Sequence, residues 1–125
     1  MLSIELSDYP LAICQAAQTI AEIDYELSAM RQLINAFEGR ADMLVAANFK
    51  LKNESQRRAH RFQLLQFNQE YQKALDLLMQ LNTEKTNAIA HLEYLRNQFA
   101  VAKLEARLAI AQQLAGLEAR ELIGF

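Results

Sequence analysis

The sequence predicts an all-α fold: a long antiparallel helical hairpin of coiled-coil type, with a short helix in its connector. Three observations carry this expectation. Three Gly and one Pro in 125 residues leave almost no turn chemistry for a sheet. Ala, Leu, Gln, Glu and Arg dominate, all of them good helix formers. Apolar side chains recur at heptad spacing along two long stretches, and a hydrophobic content of 52% is ample for a core in one helical domain, residues 1–125.

The first helix is expected over about 9–52. Ser7 or Asp8 can cap its start, and Pro10 is tolerated in a first turn. With Ile13 at heptad position a, the a positions are Ile13, Ile20, Leu27, Ile34, Ala41 and Asn48. The d positions are Ala16, Ile23, Met30, Phe37, Leu44 and Leu51, so every seam position but Asn48 is apolar. A seam that keeps a 3.5-residue period this long belongs to paired helices rather than to a solitary amphipathic one. Gly39 falls at f, opposite the seam, where it weakens the helix without ending it.

The short helix is expected over about 54–66. Asn53-Glu54-Ser55-Gln56 has the form of a capping box, and Lys50 and Lys52 suit the negative end of the preceding helix. Asn68 is a candidate cap for the next helix, about 69–115, with Glu70 in its first turn. There the seam runs through Tyr71, Leu78, Lys85, Leu92, Phe99 and Ala106 at a. Its d positions are Ala74, Leu81, Ala88, Leu95, Ala102 and Ala109. The polar stretch 82–87 raises the prospect of a loop. The heptad phase is the same on both sides of it, which favours a continuous helix.

Two such helices joined by a short connector lie antiparallel. Leu33, Met43, Val45, Leu75, Leu77, Ile89, Leu104, Leu108 and Leu117 fall off the seam. That much apolar surface is more than a monomer usually exposes, so self-association is expected, most simply a two-fold dimer closing a four-helix bundle. Ile20, Leu27, Ile34, Phe37, Leu92, Leu95 and Phe99 are the candidate self-association seam. The apolar ends MLSIEL and ELIGF are a second contact candidate.

Chemistry is sparse. His60 and His91 lack the Glu-x-x-His spacing of di-iron bundles, and one Cys with two distant His does not make a zinc site. Cys14 falls on the solvent side without a neighbour to activate it, and His91 borders the seam as a half-buried packing residue. No phosphate-binding glycine loop or nucleophile elbow is present. No catalytic, metal or cofactor residue is assigned, and an enzyme is not expected. A lone cysteine fits a reducing compartment; the N-terminus does not read as a signal peptide, and no run is apolar enough to span a membrane. The expected location is cytoplasmic.

The one concentrated feature is KLKNESQRRAHR, residues 50–61. Lys50, Lys52, Arg57, Arg58 and Arg61 against Glu54 give a local +4, leaving −6 for the rest of a chain whose net charge is −2. A solvated helix junction accounts for this, with Phe49, Phe62 and Phe67 packing the short helix back onto the long ones. A contact for nucleic-acid phosphates or an acidic protein accounts for it too, with a ring available for stacking.

LKNESQRRA at 51–59 and EYLRNQFAVAKLEARL at 93–108 resemble stretches in small coiled-coil accessory proteins of phage and bacterial mobile-element genomes. The resemblance implies a helical hairpin and transfers no catalytic residue. The expected function is a non-enzymatic scaffold or adaptor that self-associates and binds a protein partner, with nucleic-acid binding through the basic connector as the alternative.

Overall fold

The computed structural model describes residues 4–122 and is 91% helical, with no strand among the described residues. A 3-10 turn, Leu6–Asp8, leads into α1 (Tyr9–Ala46); α2 spans Glu54–Gln66 and α3 spans Gln69–Leu122. The outermost parts of MLSIEL and ELIGF, with Gly124, lie outside the described residues. The long first helix packs against the third. The chain forms two compact units, one of Met1–Thr19 with Ala88–Phe125 and one of Ile20–Asn87.

In the unit Ile20–Asn87, two polar links define how α1 and α3 run. Lys85 Nζ meets Asp24 Oδ1 at 2.6 Å, and the Tyr71 hydroxyl donates to Glu38 Oε1 at 2.8 Å. Asp24 to Glu38 is a step of 14 forward along α1, and Lys85 to Tyr71 a step of 14 back along α3. The segments are therefore antiparallel, in register over two heptads. Around the Tyr71–Glu38 link Ile34, Phe37 and Ala41 of α1 pack with Tyr71 and Ala74 of α3 and Leu65 of α2, and Leu27, between the two links, is the most deeply buried side chain at 0% exposure.

Burial along α3 follows the heptads: residues 71, 74, 78, 81, 85, 88, 92, 95, 99, 102 and 106 are buried or half-buried, and Leu75 is the one addition. Lys85 holds its seam place half-buried, with its ammonium reaching Asp24. The polar stretch 82–87 stays helical, and the Thr83 and Thr86 hydroxyls donate back to the carbonyls of Met79 and Asn82 at 3.2 and 3.0 Å.

α1 ends at Ala46, six residues short of Lys52. Asn48, expected at a seam position, instead accepts from the Lys50 backbone N–H at 3.0 Å. A short amide side chain competes for backbone groups in this way and turns the chain. Near this end the phase also slips: Leu44 is 53% exposed and Val45, expected off the seam, is buried. The cause is a change of neighbour. Two residues beyond Glu38, the register has reached Gln69, the first residue of α3, so the last turns of α1 face α2 instead.

At the start of α2, Asn53 Oδ1 accepts from the Gln56 backbone N–H at 2.9 Å. Gln56 Oε1 reaches back one residue further than a capping box requires, taking the Lys52 N–H at 2.6 Å. Asn68 Oδ1 accepts from Tyr71 N–H at 3.1 Å and so caps α3.

In the other unit, Tyr9 stacks on Phe99 with centroids 5.3 Å apart, and Ala16, Leu92 and Leu95 are buried. Beyond Ala106, every described α3 residue from Arg107 to Glu121 is exposed, and the helix itself continues past the expected end near residue 115.

Candidate functional site: a basic and aromatic corner at α2

The five connector cations take three different situations. Lys50 and Lys52 are exposed in the turn after α1, not in its last turn, because α1 stops early. Arg57 and Arg61 are half-buried and Arg58 is exposed. Arg61 Nε donates to Asp42 Oδ1 at 2.6 Å, and this hydrogen bond raises the already high pKa of the guanidinium. Among the described residues Arg58 has no carboxylate within ion-pair distance.

Phe49, Phe62 and Phe67 do not pack α2 onto the long helices. They are 91%, 64% and 79% exposed. Leu65, buried, and Leu64, half-buried, do that packing. The helix period explains the exchange: with Leu64 and Leu65 facing the core, Phe62 falls outward on the side of Arg58, four residues before it.

Arg58 and Phe62 line the rim of a cleft of about 590 Å³ between α2 and the start of α3, within the unit Ile20–Asn87. Leu65, Tyr71 and Leu75 supply its apolar walls; Arg61, Gln66 and Gln72 complete the lining. Gln72 Nε2 donates to the Leu65 carbonyl at 3.3 Å, which ties α3 to the end of α2. The Tyr71 hydroxyl is turned away toward Glu38; burial first, and then this hydrogen bond, push its pKa up from the usual tyrosine value. The cleft volume falls in the range of small-ligand or anchor-residue pockets. Its chemistry is that of a receptor for an amphiphilic anion: an apolar body beside Phe62, Leu65 and Leu75, and a negative group at Arg58.

The cleft was not foreseen from the sequence, although Arg58, Phe62 and Leu65 at i, i+4 and i+7 lie on one helix stripe. Tyr71 was expected only as a seam residue. His91 is exposed rather than half-buried, and Cys14 is exposed. Among the described residues no group of three or more His, Cys, Asp and Glu is placed to hold a metal ion, and no helix is long and apolar enough to cross a membrane.

The seam residues need a correction as well. Leu27, Ile34 and Phe37 in one unit, and Leu92 and Leu95 in the other, are buried by the chain's own helices; Ile20 and Phe99 are half-buried. Comparison with family models, with curated proteins and with solved structures finds no match to this chain.

Proposed function

We propose that the chain is a non-enzymatic helical adaptor of coiled-coil type that self-associates and receives an acidic segment of a partner protein in the α2–α3 cleft. One observation carries this: an arginine with no ion pair among the described residues, Arg58, stands beside a largely exposed ring, Phe62, over an apolar floor. Such a pairing suits a side chain that anchors by its apolar body and a neighbouring carboxylate. The two-fold, four-helix dimer expected from the sequence would cover Leu33 and Leu77, both exposed beside a second apolar groove in the unit Ile20–Asn87.

Fluorescence anisotropy of a labelled Glu-rich peptide carrying one Trp tests the adaptor function. Binding that weakens at least about tenfold in Arg58→Glu and in Phe62→Ala is expected, since each removes one half of the recognition. Equal affinity in all three proteins contradicts it.

A second function rests on the exposure of Phe49, Phe62 and Phe67 around the same cations. Rings that bases can stack on, beside Lys50, Lys52 and Arg58, are the elements of single-strand nucleic-acid binding. An oligo-dT strand in the same assay decides between them: binding tighter than the peptide's, and falling steeply with salt, selects nucleic acid.

A further inference from the structure

The outer part of α3 carries a stripe that is complementary to itself. At 100° per residue, Lys103, Arg107, Ile110, Leu114, Leu117, Glu118 and Glu121 fall within about a third of the helix circumference. Along that stripe the order is basic, apolar, acidic. Ile110, Leu114 and Leu117 are each more than half exposed, and no described residue from 107 to 121 is covered by α1. Lys103 Nζ sits 4.5 Å over the Phe99 ring, which orients the ammonium and leaves its charge unneutralised.

We infer that this stripe pairs antiparallel with the same stripe of a second copy, about a two-fold axis near residue 112. Laid head to tail, Ile110 faces Leu114 of the partner subunit, and by symmetry the converse. Lys103 then faces the partner's Glu121, and Arg107 lies beside the partner's Glu118. A two-fold contact requires this kind of self-matching patch, whereas a parallel pairing sets Lys103 against Lys103 and Glu121 against Glu121. Ala106 and Ala111, at the two edges of the stripe, keep its flanks low, so the two helices approach closely.

The inference rests on the self-association proposed above and moves its contact from Leu33 and Leu77 to the outer part of α3. Those two leucines share their groove with Glu70 and Lys73, one charge of each sign on the same helix, with no basic end and acidic end on either side of them. A single pair of helices this short makes a small interface, so the dimer dissociates on dilution.

Sedimentation of four proteins tests it: wild type, Glu118→Lys with Glu121→Lys, that variant with Lys103→Glu and Arg107→Glu added, and Leu33→Ser with Leu77→Ser. Wild type is expected to dimerise. The two-site reversal turns attraction into repulsion at four symmetry-related places and is expected to weaken dimerisation at least about tenfold. The four-site swap restores it, and the leucine variant leaves it unchanged. All the substituted positions are exposed, so unchanged far-UV circular dichroism is expected throughout. A monomeric wild type at every concentration defeats self-association itself. A wild-type dimer that ignores the charge reversals, or that falls apart in the leucine variant alone, defeats only the placement at α3. Orientation is read from thiol cross-linking in a Cys14→Ser background. Ile110→Cys and Leu114→Cys should cross-link to each other when mixed. Strong cross-linking of either with itself marks a parallel contact and overturns the inference.

Discussion

The Tyr71 hydroxyl donates to Glu38 at 2.8 Å across 33 residues of sequence, joining the start of α3 to the last third of α1. Tyr71 also packs edge-on against Phe37, with centroids 6.2 Å apart, so one side chain serves core, register and cleft. Removing only the hydroxyl isolates the polar part. Tyr71→Phe is expected to cost about 1.5–3 kcal/mol in urea unfolding, the range for a hydrogen bond to a charged group.

The same residue sets an alkaline limit. Its pKa is raised by burial and by the bond to Glu38, so the folded chain resists forming the tyrosinate. A raised folded pKa contributes stability that is fully present below the unfolded value, about 10, and is lost as pH climbs from there through the folded value. Wild type is therefore expected to lose stability above about pH 10 more steeply than Tyr71→Phe. Ultraviolet titration should show one of the four tyrosines ionising late, and that late component should vanish in the variant.

Leu27 is the most completely enclosed side chain of the seam. Leu27→Ala leaves a cavity between α1 and α3 and is expected to cost about 2–5 kcal/mol. A cost under about 1 kcal/mol, measured by denaturant titration, would mean that this stretch of α1 lacks the packing described here.

Gly39 offers the opposite sign. A methyl group placed there meets no atom within 4 Å, and the backbone is helical. Gly39→Ala is expected to stabilise by about 0.5–1 kcal/mol, by restricting the unfolded chain more than the folded one. Thermal unfolding followed by circular dichroism checks it.

Asp42 pairs with Arg61, which lines the cleft together with Arg58. Both side chains are substantially exposed, so the pair is worth under about 1 kcal/mol and Asp42→Asn should barely change stability. It should instead free Arg61 to join Arg58, and so tighten binding of the acidic peptide. Anisotropy showing weaker or unchanged binding would mean that Arg61 takes no part in the site.

The seam was legible in the sequence because a 3.5-residue apolar period leaves helices one way to pair, and α3 follows it from Tyr71 to Ala106. The caps at Asn53 and Asn68 were legible for a local reason, since a short polar side chain can satisfy free helix amides wherever it falls. Asn48 shows the limit of pattern: the heptad count gave it a seam position, while its side chain accepted from Lys50 and ended α1. The exposure of Phe62 was hidden because apolar character alone does not say which of Phe62, Leu64 and Leu65 faces inward. That choice depends on where α2 leans, which only the tertiary contacts of Leu65 and Tyr71 decide. The unpartnered length of α3 was hidden too, since it follows from the register that sets Tyr9 against Phe99.

A helix of about fifteen residues without a partner is only marginally stable in water. Hydrogen exchange of residues 107–121 therefore reads most directly whether the outer part of α3 is covered by a second copy. At tens of micromolar, these amides should exchange slowly, and at nanomolar concentration they should become fast while residues 71–95 stay protected. Fast exchange of 107–121 at both concentrations, or the same slow exchange at both, would contradict the pairing.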